Sequence, residues 1–493
     1  MKEGQTEKCN CQTELGNCST IVVGKNASKT GKVIVGHNED DLDVVVLPYA
    51  VPRMKHKPDE VIYLEDGKAI IPQVEETYAY YWSEMRASTW RVSFSDTFVN
   101  EMGVAITSNS CNPCKESTIN PQDGDIGYGI RRILAERAKT ARDGVELAIS
   151  LIEKYGYFQC RSYSISDVNE GWVLQIAKGK HYVARRIGDD EVYFIPNWYT
   201  IHNVDFKDTE HKNWYFSDDL VSFAMENNWY TPAVAGDYSD FDFAKAYSGD
   251  NDKSYNILRA TNGWRFLLLE EPTDNRIFSA KLNRKLGLED VKGLLRFHYT
   301  GTPDDVTEDY NINPHSDKHW TICNHRTAEA CVIELNENPA LTCVWRTTLN
   351  PCTTPFVPWY VGNTKVPEGY NWYTPIAGQS THFHTPASDN EFNPAWAFWT
   401  FQTMQYFADF DYKNTHSVIQ NSVKELEAKW EGEQSLVHKT YLELLAKNPV
   451  LATEYITGYT NTQAETALNW AKNMIKQLGE AKAMENFAWE PKE

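Results

Sequence analysis

Positive charge is in short supply in this sequence: 48 Lys and Arg stand against 68 Asp and Glu, a net charge of −20. A nucleic-acid binder needs a basic footprint, and an anionic membrane surface repels a chain of this sign. Long apolar runs are missing too. No stretch approaches the roughly 18–20 residues of a membrane span, and residues 1–17 lack the apolar core of a secretory signal. These absences predict a chain with no nucleic-acid or membrane partner that resides in the cytoplasm, secreted only if a signal peptide has been removed. Cysteine is sparse, with ten in 493 residues, at 9, 11, 18, 111, 114, 160, 323, 331, 343 and 352. That excludes a disulfide scaffold and leaves most of them as idle thiols. Cys111-Asn-Pro-Cys114 has redox or zinc spacing but no second pair to complete a metal site. Phosphate motifs are lacking: Gly124-Asp-Ile-Gly127-Tyr-Gly129 is not a dinucleotide fingerprint, and no P-loop or H-E-x-x-H occurs. His382-Phe-His384 has strand-like ligand spacing, and His315 with His319 has helical spacing. Neither has a third ligand nearby in sequence, so no metal and no cofactor are expected.

What is present is core material: 41% hydrophobic and 13% aromatic residues, enough for about three domains or one large unit. β-Branched runs at residues 19–24 and 32–36 flank a Gly-containing connection and read as a hairpin. Further strands are expected at 90–94, 103–107, 162–166, 172–176, 182–185 and 192–195. Helical periodicity marks 126–139 and 145–154. This alternation suits sheets with helices packed outside them. Residues 300–410 are rich in Trp, Tyr, Pro and Asn and predict irregular structure with short strands. Ile419, Val423, Leu426 and Trp430 form one amphipathic stripe, and Ala464, Leu468, Ala471, Ile475 and Leu478 another. Residues 415–480 are therefore helical.

Cys18 stands just before the first strand, and the second ends in Gly36-His37-Asn38-Glu39-Asp40-Asp41. In a hairpin the end of the second strand returns to the start of the first, which would bring His37, Asp40 and Asp41 near Cys18. A thiol with imidazole and carboxylate neighbours can be a nucleophile. The same spacing also suits a small buried cysteine beside a solvated acidic turn.

The run Cys18-Ser-Thr-Ile-Val-Val-Gly-Lys-Asn-Ala-Ser with Gly36-His-Asn-Glu-Asp40 resembles the opening of the bacterial dipeptidase D family. These are cysteine-type N-terminal-nucleophile hydrolases, related to secernins and more distantly to bile salt hydrolases and penicillin V acylases. The likeness continues through Ile126-Gly-Tyr-Gly-Ile-Arg-Arg, Asp167-x-x-Glu170-x-Trp172, Val183-Ala-Arg-Arg, Leu295-Arg-Phe-His298-Tyr, Phe356-Val-Pro-Trp-Tyr360 and Pro394-Ala-Trp396-Ala-Phe-Trp399. It spans about residues 18–480.

The resemblance implies an α+β fold, a four-layer αββα sandwich with a helical C-terminal extension. Its expected parts are a leader over 1–17, a core over 18–300, and an irregular and helical region over 301–493 packed on that core. It also implies that Cys18 becomes the first residue of the mature chain, by cleavage after Asn17, and attacks the amide carbonyl of a small peptide. Its freed α-amine, with a pKa near ~8, would take the proton of a thiol near ~8.5. Asp40 would hold the amine and thiol, Asn197 would bind the oxyanion with support from Asn109, and Arg259 would supply fixed positive charge. His37 occupies a position held by arginine in the bile salt hydrolase branch. It is carried, with Glu39 and Asp41, as a candidate for substrate binding, the two acids for a dipeptide's α-amine. Hydrolysis of N-acyl amino acids or related amides, and a non-catalytic secernin-like role, are the alternatives. Homo-oligomerisation is left open.

Overall fold

The computed structural model describes residues 18–41, 44–64, 69–87, 97–111, 113–118, 126–250, 253–316 and 319–487. The expected leader and the strand expected at 90–94 lie outside them. Strands and helices are numbered in chain order. Among the described residues, two antiparallel sheets dominate. The first runs β16 (Ser279–Ala280), β14 (Val192–Ile195), β1 (Ser19–Val23), β2 (Ile34–Asp40), β17 (Thr327–Glu334), β18 (Cys343–Arg346), β19 (Val357–Tyr360). The second runs β15 (Trp214–Phe216), β13 (Tyr182–Arg186), β12 (Gly171–Ile176), β11 (Arg161–Ser166), β10 (Ala105–Ser110), β9 (Thr97–Asn100), β8 (Tyr80–Ala87), β3 (Val44–Val51). Two short ribbons, β4 (Met54–Lys55) with β7 (Glu76–Thr77) and β5 (Val61–Tyr63) with β6 (Ile70–Pro72), hang between β3 and β8 in the chain.

Side chains of the two sheets bond to one another. Thr20 on β1 bonds Asn109 on β10 at 2.5 Å, and Arg346 on β18 bonds Ser83 on β8 at 3.1 Å. Alternation does the sorting: in β10, Thr107 and Asn109 turn toward the first sheet, while Ile106 and Ser108 turn toward the helices. Helices α1 (Ile130–Arg137) and α2 (Ala141–Tyr155) cover the second sheet. In α2, Thr140 caps the first turn by accepting from the Asp143 N–H, and Gly156 at φ 72° ends it. Its buried stripe of Val145, Ala148, Ile149 and Ile152 packs on β11 and β12. Each of its Val and Ile side chains taken from water stabilises the fold by about 1.5–3 kcal/mol before entropy is counted. The helix expected over 126–139 begins only at Ile130, because Ile126 bridges to Tyr157 and Gly127 and Gly129 weaken the first turn.

Helices α3 (Leu220–Glu226) and α4 (Phe243–Tyr247) decorate the connection out of β15, and α5 (Ser254–Leu268) and α6 (Leu288–Leu295) pack on the first sheet. Two glycines permit that packing. A Cβ at Gly263 would stand 2.1 Å from the Phe194 ring, and one at Gly36 would stand 2.5 Å from Val291. The first sheet crosses position 300: β2 pairs with β17 from Ile34 to Asp40, so residues 327–360 complete the sheet that β1 and β2 begin. Beyond it lie α7 (Pro375–Thr381), α8 (Ala397–Phe410), α9 (Tyr412–Lys447) and α10 (Pro449–Phe487). The last two are the helices the sequence predicts, locked by Trp430 Nε1 to Gln463 Oε1 and Trp470 Nε1 to Ser422 Oγ, each 2.7 Å. Lys292 of α6 reaches Glu431 of α9 at 2.7 Å and docks the pair on the core. Among the described residues no helix is long and apolar enough to cross a membrane. Cys114 is not idle: it is disulfide-bonded to Cys160, with 6.0 Å between the Cα atoms, while Cys111 is buried outside that bond.

Candidate active site

The hairpin register puts Ser19 opposite Asn38, so Cys18 faces Glu39. The fully buried Cys18 thiol donates to Glu39 Oε1 at 2.9 Å. Glu39 Oε2 lies 3.0 Å from His37 Nε2, and His37 Nδ1 lies 2.7 Å from Thr20 Oγ1. Thr20 Oγ1 donates to Asn109 Oδ1, and Asn109 Nδ2 donates to the Pro196 carbonyl at 3.0 Å. This chain fixes proton positions. A hydroxyl has one hydrogen, and Thr20 gives it to Asn109, so His37 Nδ1 carries the proton it shares with Thr20. One further proton lies between His37 Nε2 and Glu39 Oε2.

Asp40, the next residue on β2, points to the other face of the strand. Its carboxylate accepts from Thr327 Oγ1 at 2.7 Å and Asn324 Nδ2 at 2.8 Å. Its main-chain N–H reaches the Cys18 sulfur. Burial pushes the Asp40 carboxyl up to about 7, against the pull of the Arg259 charge and of its two hydrogen bonds. Burial also pushes the Cys18 thiol up, with the negative charges of Glu39 and Asp40 adding to the effect. The sulfur is thus held as a neutral donor, with a carboxylate in place to accept its proton.

Arg259 enters from α5. Asn256, Arg259 and Gly263 share one helix face, and the close approach at Gly263 brings that face onto β14. Arg259 Nη1 donates to the Cys18 carbonyl at 2.9 Å, and Nη2 donates to Asn197 Oδ1 at 2.8 Å and Asn256 Oδ1 at 2.7 Å. Burial lowers its pKa, with the Asp40 charge opposing. Asn197 Nδ2 donates to the Ser110 carbonyl at 2.9 Å, which spends one of its two hydrogens.

Of the residues singled out from sequence, the structure brings Cys18, His37, Glu39, Asp40, Asn109, Asn197 and Arg259 into one buried cluster. Glu39 and His37 sit differently from expectation. Glu39, expected to meet a substrate amine, is bonded to the thiol instead. His37 is 2% exposed with both nitrogens bonded, so it orients Glu39 and has no free face for a substrate. Both ends of the Asn109 amide are bonded, so it braces the turn before Asn197. Asp41 lies outside the cluster and lines a cleft of about 390 Å³ with Arg326, Asn350 and Trp399. Sequence reasoning missed Thr20, Asn256, Asn324 and Thr327. Thr20 carried a signal, since it is two residues along the same strand face as Cys18. Asn324 and Thr327 are more than 280 positions from Asp40 and carried none.

Comparison with known proteins points one way. The model of peptidase family C69 matches residues 17–425. A probable dipeptidase of Latilactobacillus sakei is 29% identical over 59% of this chain and 62% of its own length. A dipeptidase of Bifidobacterium longum is 27% identical over 64% of this chain and 65% of its own length. The chain therefore spans just under two thirds of these two relatives. A probable dipeptidase A of Streptococcus pyogenes serotype M1 is 25% identical over 93% of this chain and 97% of its own length. A solved conjugated bile acid hydrolase of Clostridium perfringens aligns over 67% of this chain and 89% of its own at 10% identity, with a TM-score of 0.31, too slight a likeness to bear on the fold.

Proposed function

Because the chain belongs to peptidase family C69, we propose that it is a cysteine-type dipeptidase whose nucleophile is Cys18, released as the mature N-terminus by loss of residues 1–17. The observation that carries this reading is the Cys18 sulfur between the Glu39 carboxylate and the Asp40 N–H, with Arg259 on the carbonyl of the same residue. The relatives' dipeptidase names supply the substrate class.

The chemistry runs in two stages. While Cys18 is joined to Asn17 its nitrogen is an amide and cannot act as a base. Glu39 is the hydrogen-bonded acceptor for the thiol proton. Sulfur attacks the Asn17 carbonyl, the proton passes to the departing Cys18 nitrogen, and water hydrolyses the thioester. The products are a free Cys18 amine and an Asn17 carboxylate. In turnover sulfur attacks the dipeptide carbonyl while that amine takes the thiol proton and returns it to the leaving amine, and water then hydrolyses the acyl thioester to release the acid and restore the thiol. The second Nδ2 hydrogen of Asn197 faces the developing oxyanion. An amide suits this task because it stabilises negative charge without titrating. Arg259 holds Asn197 and the Cys18 carbonyl in register, and Asn109 braces the turn. Asp40 pairs with the amine, whose charge adds to that of Arg259 in favouring the carboxylate. Asp41, one residue beyond, lines the cleft that Thr327 also lines and is the remaining acidic candidate for the dipeptide's α-ammonium. No step draws on a metal or organic cofactor.

The finer architecture we assign is the four-layer αββα sandwich, supported by helices against the outer face of each sheet and by the side-chain contacts between them. The cytoplasm, expected from the polar N-terminus, sits poorly with the Cys114–Cys160 bond, a feature of oxidising compartments. The test is a panel of free dipeptides and N-acyl amino acids assayed with a chain that begins at Cys18. Hydrolysis of dipeptides, lost in Cys18→Ala, supports the reading. Hydrolysis confined to acylated amino acids overturns the substrate class.

A further inference from the structure

Behind Asp40, on the far side of Asn324, four metal-ligating side chains converge from distant parts of the chain. His298 follows α6, His315 and Cys323 lie in the connection to β17, and Cys352 lies between β18 and β19. All four are buried, and their ligand atoms lie within 4.8 Å of one another. Cys323 Sγ is 3.5 Å from Cys352 Sγ, and His315 Nε2 is 3.7 Å from Cys323 Sγ and 3.1 Å from Cys352 Sγ.

These separations fit the edges of a metal tetrahedron. With zinc–sulfur bonds of about 2.3 Å and zinc–nitrogen bonds of about 2.0–2.1 Å, the edges come to about 3.8 Å for S···S and about 3.6 Å for S···N. A disulfide needs about 2.0 Å, so the 3.5 Å gap is not one. The buried His298 side chain bonds Cys323, and its Nε2 has no hydrogen-bond partner among the described protein atoms. The surroundings are also those of a metal site. His315 Nδ1 lies 2.6 Å from Asp409 Oδ1, and Gln405 Nε2 holds the other oxygen of Asp409 at 2.8 Å. A carboxylate on the far nitrogen turns Nε2 toward the ion and raises its basicity. The Asn350 amide at 3.7 Å and the Tyr412 hydroxyl at 3.8 Å aim donors at the two sulfurs.

We propose that His298, His315, Cys323 and Cys352 bind one zinc ion in a closed tetrahedral site. Two imidazoles and two thiolates are the borderline-soft set that zinc prefers, and four protein ligands leave no open position for chemistry. Binding releases the two thiol protons to solvent. The ion pins the segment after α6, the connection to β17, the segment after β18 and, through Asp409, the end of α8. Asn324, next to Cys323, donates to Asp40, so the ion fixes one wall of the nucleophile's surroundings without touching it. The spacing of 17, 8 and 29 residues between successive ligands matches no short motif, and His319 is not among them.

The experiment is elemental analysis of the full chain purified under reducing conditions without chelator, beside Cys323→Ser/Cys352→Ser and, as a control, Cys343→Ser. One zinc per chain in the parent and in the control, with more than tenfold less in the double variant, is expected. If the double variant fails to fold, cobalt(II) added to the metal-stripped parent decides. Thiolate-to-cobalt charge-transfer absorption with intense tetrahedral visible bands supports the site. A parent with no bound metal and no such bands, or zinc retained in a folded double variant, overturns it.

Discussion

Cys18 and Glu39 are cross-strand partners, and the thiol of one donates to the carboxylate of the other at 2.9 Å. This contact exists while Cys18 is still an internal residue, when an α-amine cannot serve as base. Glu39→Gln keeps the shape of the side chain but removes its capacity to take the proton. Release of residues 1–17, followed by intact mass over time, is expected to slow by about 10²–10⁴-fold, the usual worth of a positioned base. Processing at the parental rate would remove Glu39 from that role.

Asp40 makes stability depend on pH in a defined direction. Its carboxyl titrates at about 7 in the fold against 3.8 as a free side chain. The folded state therefore holds the proton more tightly, and stability falls as pH rises from about 4 through 7. By linkage the loss amounts to on the order of 4 kcal/mol. Asp40→Asn does not titrate. In a Cys18→Ala background, which keeps both chains unprocessed, the Tm of the Asn form should gain on that of the Asp form between pH 5 and pH 8. A difference that stays flat across that range contradicts the assignment.

Asn197 has one amide hydrogen on the Ser110 carbonyl and its oxygen on Arg259, so its orientation is set from both ends. Asn197→Ala should lower kcat by about 10²–10³-fold with little change in KM, as loss of one oxyanion donor does elsewhere. A rise in KM at constant kcat would instead make Asn197 a ground-state contact.

The approach of α5 to β14 rests on a missing side chain. A Cβ at Gly263 would meet the fully buried Phe194 ring, four residues along the helix from Arg259. Gly263→Ala should cost about 1–3 kcal/mol in denaturant unfolding. It should also lower kcat/KM more than an equally destabilising change on α2. Equal losses at the two helices would uncouple the position of Arg259 from this packing.

How much of this could be read in advance follows from distance along the chain. The hairpin that joins Cys18 to residues 37–40 is local, and its β-branched strands and central turn announce it. The face of each strand is less legible. A shift of one residue exchanges Glu39 for Asp40 at the thiol, and the register that decides it is set by β17 and β14 on either side. The partners of Asp40 come from β17 and the connection before it, a pairing that no local pattern signals. Helix α8 is apolar or aromatic on nearly every side, so its period is hidden in the sequence. In sequence His315 has only His319 at ligand spacing, and the fold alone brings it instead to His298, Cys323 and Cys352.

The central claim is that Cys18 acts through its own freed amine. Its most direct test is the intact mass of the purified, dipeptide-active parent beside Cys18→Ala. The account predicts a parent that begins at Cys18 and a variant that keeps residues 1–17. A parent that hydrolyses dipeptides with residues 1–17 still attached would contradict it.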